Sequence, residues 1–394
     1  MRDAGKAKMQ ILTKLARREN IIFSSLMLAL ICIALLRGLA LLLAIIVEFA
    51  IFSIVTLSLN LETGHTGIPQ FGRVLAVMAG AFAVGAIPGR ILAWSVGLPY
   101  GLEYGDDAVN YKVVPDLTKA LAANAALSIG FFIFCLVLAA ACGAALGWLT
   151  SRPAIRLREA YLGISLLAFG EFLMWIGHNW EPLVGGTTAV FIPDPFRIAE
   201  PYRFDAVVLT MLVIALLVYV LIQRLTRSPF GRSLKMLRDC DLAAGVYGKN
   251  IIKVRTQSLV IGSAIAATAG AVYVIYVGAC TAMTFSRVTW TFWPWAYMML
   301  GGIGSNLGVV MGVLAFSMVR TLIVVYRFQI FWFLHEWWGI DPMWLESTLM
   351  GLVLILVVLF MPSGMAPEKP EPTLPSGRIR ETLESVRKRL SKKG

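Results

Sequence analysis

Charge is scarce in this sequence. Only 15% of its residues are Asp, Glu, Lys or Arg, against about 25% in an ordinary soluble domain. Histidine is rarer still: His65, His178 and His335 are the only 3, and they are too scattered for a ligand set. The five cysteines, Cys32, Cys135, Cys142, Cys240 and Cys280, form no CxxC pair and no His/Cys metal spacing. Four of them lie in or beside apolar runs and read as small buried hydrophobes, so no metal is expected. No G-x-x-x-x-G-K-[ST] loop is present. "AAGVYGKN" has the GK pair but the wrong glycine spacing and no Ser or Thr after the lysine. That excludes ATP binding to this chain through a P-loop. HExxH and GxSxG are missing too, so nothing points to hydrolysis within a bilayer.

What is present is oil. The chain is 58% hydrophobic, and the apolar residues come in long blocks such as Leu39 to Leu61 and Phe204 to Ile222. A bilayer core of ~30 Å needs about 20 helical residues to cross. The sequence therefore predicts an all-α polytopic membrane protein with about ten spans. They run Ile21–Leu36, Leu39–Leu61, Val74–Trp94, Leu121–Leu149, Tyr161–Ile176, Phe204–Ile222, Ser258–Cys280, Phe292–Leu300, Leu307–Val325 and Leu345–Met361. The basic start and the run "IIFSSLMLALICIALL" are followed by Arg37, Gly38 and more oil, not by a small-residue cleavage site. An uncleaved first span is expected.

The net charge of +12 does not argue for nucleic acid, because the cations sit at span ends and in the tails. Lys and Arg crowd the N-terminal tail, the connectors around Arg152–Arg158 and Arg227–Arg255, and the stretch after Arg378. An even number of spans puts all four on one side, which the positive-inside rule makes the cytoplasm. Both termini are then cytoplasmic. The expected organisation is an interfacial segment over 1–20, a membrane domain over 21–362 containing a cytoplasmic loop at 226–255, and a basic tail over 363–394.

Three features could carry function. Glycine-rich breaks end the second and eighth spans, "ETGHTGIPQFGRV" and "LGGIGSNLGVVMG". Paired breaks in two halves of a transporter point to a pathway and to an internal inverted repeat; small residues also serve tight helix packing. Next, Glu48, Glu171 and Arg320 lie inside spans. A charge at the helix centre costs ~2.5–3.5 kcal/mol on insertion scales, so each should face a partner or the bundle interior. Finally, "SPFGRSLKMLRDCDLAAGVYGKN" is polar and helix-forming between two oily spans. Ser228 and Pro229 suit a helix entry, one helix is expected from Gly231 to Val246, and Gly248 suits its end. Periodicity alone leaves it either a lipid-facing connector or a docking helix.

This last stretch resembles the cytoplasmic coupling segment of ABC importer permeases of the branched-chain amino acid type. Gly231, Arg232, Arg238, Ala243, Ala244, Gly248 and Asn250 fit that pattern, and Asp239 and Asp241 stand where it has acids. Other pieces agree in order. "SLNLETGHTGIPQFG" resembles the family's first motif at Leu59, Asn60, Gly64, Gly67 and Gly72. "YLGISLLAFGE" with Asn179, Trp180, Gly185 and Gly186 resembles its second, "MMLGGIGSNLGVVMGV" its third, and "LVLILVVLFMPSGM" its end. The pieces run from about residue 39 to 365. The chain departs from the first motif at Ile68, Gln70 and Arg73, where the family has Gln, Ser and His, and at Val184, where it has Thr.

The resemblance implies a permease subunit for branched-chain amino acids or a related small solute: other amino acids, urea or amides. It implies a second homologous permease, two cytoplasmic ATP-binding subunits carrying ATP and Mg, an extracytoplasmic solute-binding protein, and the plasma (inner) membrane of a prokaryote. No cofactor is expected on this chain, which is not itself an enzyme. Gly231, Arg232, Arg238, Asp241, Ala243, Ala244 and Gly248 would couple to the ATPases. Asn60, Gly64, Gly67, Gly72, Glu171, Gly301, Gly302 and Gly304 would lie along the path. The competing reading is a stand-alone secondary transporter or channel that uses Glu48 and Glu171 as ion sites, and a scaffold subunit without a pathway is a third.

Overall fold

The computed structural model describes residues 2–157, 159–330 and parts of 336–368. The expected tenth span, Leu345–Met361, is described only in part, and most of the tail 363–394 lies outside the described residues. In chain order the helices are α1 (Arg2–Arg37), α2 (Leu39–Leu59), α3 (Arg73–Ala86), α4 (Pro88–Val96), α5 (Asp107–Ala123), α6 (Ala125–Arg156) and α7 (Glu159–Asn179). They continue with α8 (Glu181–Val184), α9 (Arg203–Arg227), α10 (Pro229–Asp239), α11 (Asp241–Val246), α12 (Ile251–Val277), α13 (Trp293–Gly301) and α14 (Asn306–Ile330). Two short strands, β1 (Val190–Phe191) and β2 (Ala279–Cys280), pair antiparallel.

Among the described residues, 8 helical stretches are long and apolar enough to cross a membrane. Each coincides with an expected span. The eighth expected span, Phe292–Leu300, is not among them: α13 has 9 residues, about 14 Å of helix at 1.5 Å each, and packs against α14. The third span is broken at Ile87, where Pro88 starts α4 and cannot continue the hydrogen-bond ladder. Residues 107–123, expected as connector, form α5. Asp106 caps it by accepting from the Ala108 amide, a first-turn bond typical of Asp at a helix start. The N-terminal segment runs into the first span as one helix, α1.

The core is built around α12, which packs against α3 and α6. Lipid offers little hydrophobic drive between spans, so close contact comes from small residues. At the α3–α12 crossing, a Cβ at Gly80 or Gly270 would overlap a facing backbone carbonyl. Phe52, Tyr297, Phe285 and Trp290 fill the middle of the bundle, each 5% exposed or less.

The two ends are finished differently. At one end, β1 and β2 pair, the Phe191 amide donates to Asn110 Oδ1 at 2.7 Å, and Arg203 pairs with Asp194. At the other end, two irregular turns meet α10.

Candidate functional site

The first irregular turn continues α2. Residues Asn60–His65 widen into a π-turn, a device found frequently at functional sites. Gly64 permits it: a Cβ there would overlap Asn60 Oδ1 and lie 2.8 Å from the Gly304 amide. The second turn, 302–305, joins α13 to α14. Gly302 takes φ 117 and Gly304 φ 80, values that L side chains rarely adopt.

The two turns are bonded to each other. Asn60 Oδ1 accepts from the Gly304 amide at 2.9 Å, and Asn60 Nδ2 donates to Asn306 Oδ1 at 3.1 Å. His65 Nε2 also lies 3.1 Å from that oxygen. Asn306 Nδ2 donates to Thr226 Oγ1 at the end of α9 at 2.9 Å. The two breaks therefore meet at one place in the bundle.

Arg238, on α10, closes the joint. Its Nη1 donates to the Gly64 carbonyl at 2.7 Å and to Glu368 Oε2 at 2.8 Å. Lys235 pairs with the other Glu368 oxygen at 3.1 Å. Gly67, with φ 78, packs against the Arg238 stem, and Gly304 faces its guanidinium. Partial burial lowers the Arg238 pKa, but Glu368 and Asp239 outweigh that and hold it above its usual value. The segment bearing Glu368 docks on the second turn: the Met365 and Ala366 amides donate to the Leu300 and Gly301 carbonyls at 2.8 and 2.9 Å. One side chain of a surface helix therefore grips both breaks and the chain beyond the last helix.

The rest of the expected coupling set is spread over two helices, not one. Cys240 is extended, at φ −162 and ψ 109, and divides α10 from α11. Gly231 is buried where α9 turns into α10, and a Cβ there would overlap the Thr226 carbonyl. Arg232 is exposed. Asp241 pairs with Arg255 at 2.6 Å, tying α11 to α12. Ala244 is buried and Ala243 half-buried. Gly248 takes φ 72 beyond α11, the left-handed helix ending that its position suggests. Leu242, Val246 and Tyr247 are 83%, 87% and 74% exposed, an apolar face on an otherwise charged connector.

Of the expected pathway residues, Asn60, Gly64, Gly67 and Gly304 meet at the joint. Gly301 and Gly302 pack beside it, against Gly308 and Gly364. Gly72 instead packs on Leu166 of α7. Glu171 is elsewhere, 3.4 Å from Arg287. Glu48 faces Arg320 and accepts from Thr321 Oγ1 at 2.9 Å. Glu48 and Glu171 thus have cationic partners, as the insertion cost demands.

Sequence reasoning missed Asn306, Lys235 and Glu368. Asn306 reads as an ordinary helix start, and Glu368 sits in "PEKPEP", which reads as linker. It also missed a sealed ion pair, Glu62–Arg73, with both side chains at 0% exposure. Gln70 donates to Glu62 at 2.9 Å. Arg73 donates to Ser58 Oγ and the Gly262 carbonyl at 3.1 and 3.0 Å. Two departures from the first motif, Gln70 and Arg73, are thus partners of one carboxylate. The third, Ile68, packs with Leu162, Leu166 and Leu259.

A multi-pass helical bundle with re-entrant breaks tied to a surface helix defines a membrane transport subunit. The chain belongs to the family described as branched-chain amino acid transport system / permease component, which matches residues 41–358. A probable branched-chain amino acid transport permease protein of Methanocaldococcus jannaschii is 37% identical over 338 residues, covering 84% of this chain and 94% of that protein. A high-affinity branched-chain amino acid transport system permease protein of Escherichia coli is 27% identical over 275 residues, 63% of this chain and 60% of that one. An autoinducer 2 import system permease protein of an Enterobacter species is 26% identical over 250 residues, 61% and 66% of the two chains. No solved structure gives a significant match.

Proposed function

We propose that this chain is the permease subunit of a binding-protein-dependent ABC importer for branched-chain amino acids, in the plasma membrane of a prokaryote. A second, homologous permease completes the pore. Two cytoplasmic subunits carry ATP and Mg and grip α10 and α11, and an extracytoplasmic binding protein delivers the solute. Both termini and the joint face the cytoplasm. Residues 21–362 are the permease domain, 226–255 its coupling loop, and 363–394 a cytoplasmic tail.

The observation that carries this reading is the Arg238 joint. A displacement of α10 by an ATPase pulls directly on the Gly64 carbonyl and on the Glu368 segment beside Gly304. Both glycine-rich breaks then move with the motor. Such turns are two-state elements of the kind that small interface movements can throw. The exposed Leu242, Val246 and Tyr247 supply an apolar docking face, and the motif departures support the amino-acid class. Ile68 packs in an apolar cluster, and Gln70 and Arg73 both engage Glu62, so these departures serve packing and pairing within the chain. Pairing of Glu48 and Glu171 with arginines counts against the stand-alone transporter.

The test is reconstitution. Leucine uptake into proteoliposomes should require the two ATPases, the binding protein and ATP together. Uptake by this chain alone, driven by an ion gradient, would overturn the proposal. Leu242→Asp with Val246→Asp should abolish co-purification of the ATPases without preventing membrane insertion.

A further inference from the structure

Away from the joint, α2, α12, α14 and the 282–292 segment line an open-sided cavity of about 380 Å³. That lies within the range of small-molecule sites, about 300–1,000 Å³. Its walls carry one carboxylate, Glu48, and one guanidinium, Arg320, with Phe52, Tyr273, Tyr276 and Trp290 around them. The two charged side chains are 15% and 21% exposed, so each keeps a face toward the space. Glu48 precedes Asn60 by twelve positions, about 18 Å along a helix. The cavity and the joint are therefore separate places.

We infer that this cavity is a solute site, and that it takes a zwitterionic α-amino acid with an apolar side chain. The inference rests on the permease reading and deepens it. Glu48 receives the ammonium and Arg320 the carboxylate, while the aromatic walls receive the side chain. Exchange of one ion pair for two leaves the net charge of the site at zero. That matters because an uncompensated charge at this depth is expensive. A 2-oxo acid, lacking the ammonium, would strand a negative charge. An amino amide, lacking the carboxylate, would strand a positive one. The site is built to reject both.

The floor of the cavity connects it to the joint. Trp290 and Phe52 are 2% and 5% exposed, with ring centroids 5.5 Å apart, and Tyr297 packs edge-on under Phe52 at 5.3 Å. Trp290 sits in a second π-turn, Val288–Phe292, which runs straight into α13 and so to Gly304. The residue that closes the floor is on the same short segment that Arg238 reaches at its other end.

The experiment is equilibrium binding of tritiated L-leucine to the full importer complex in lipid nanodiscs, without the binding protein. Wild type should bind leucine. Leucinamide and 4-methyl-2-oxopentanoate should each compete at least about tenfold more weakly than unlabelled leucine, since a lost charge partner is costly. The double variant Glu48→Gln/Arg320→Gln, which leaves no lone charge behind, should lose at least about tenfold in leucine affinity while the subunits still co-purify. A double variant that binds leucine within twofold of wild type overturns the inference. So do analogues that compete as well as leucine, which need no variant at all. ATP-dependent uptake by a wild-type complex that binds no leucine here sinks the site and leaves the permease reading standing. A complex without ATP-dependent uptake sinks the permease reading, and the site falls with it.

Discussion

The ion pairs Glu62–Arg73 and Glu48–Arg320 differ in almost everything except their chemistry. Glu62–Arg73 is sealed. Both side chains are at 0% exposure, and Ser58, Gln70 and the Gly262 carbonyl add hydrogen bonds to them. Glu48–Arg320 opens on a cavity of about 380 Å³, and its carboxylate also accepts from Thr321. The sealed pair bridges the first break, from the π-turn to the start of α3, so it fixes a shape. The cavity pair joins two long helices that already pack, so the fold needs it less. A charge pair inside a membrane is thus not one kind of evidence. Its surroundings decide whether it holds structure or is available to a ligand.

The largest expected effect comes from breaking the sealed pair on one side. Arg73→Leu strands Glu62 and should cost about 3–5 kcal/mol, seen as loss of monodisperse protein after solubilisation. Replacing both partners, Glu62→Met with Arg73→Leu, should restore most of it, because well-packed apolar residues often substitute for a buried pair at little cost. A double variant as damaged as the single one would show that the charges do more than fill the space. Gly64→Ala comes next. Its methyl meets Asn60 and the Gly304 amide, and overpacking of this kind costs about 1–3 kcal/mol, measurable as a lowered unfolding midpoint. Arg238→Ala should be milder for stability, about 1 kcal/mol or less for a partly exposed pair, yet should disconnect the joint. Glu171→Gln is the smallest. Its pair with Arg287 is 30% and 52% exposed, and a shift within about 0.5 kcal/mol is expected.

The spans were legible because length and oil are what a bilayer selects. Leu39–Leu61 and Phe204–Ile222 differ from the observed helices by a few residues at their ends, where fraying blurs any boundary. What was not legible is long-range. Nothing near Glu62 announces Arg73, because the chain leaves the helix and returns before they meet. Asn60 and Asn306 each look like an end residue, and their bond spans 246 positions. The polar helical stretch from Ser228 to Asn250 was legible, but its division at Cys240 was not, since "RDCDLAAG" has no proline or glycine at the break. The two glycine-rich turns were legible as breaks, but the bonds that join them through Asn60 were not.

The claim on which the rest depends is that Arg238 transmits motion from the surface helix to both breaks. It is tested most directly by measuring ATP hydrolysis and leucine uptake together in proteoliposomes of the complete importer, wild type against Arg238→Ala. With hydrolysis continuing and uptake lost by at least about tenfold, the joint is the transmission. Uptake that stays in proportion to hydrolysis in the variant would contradict the account.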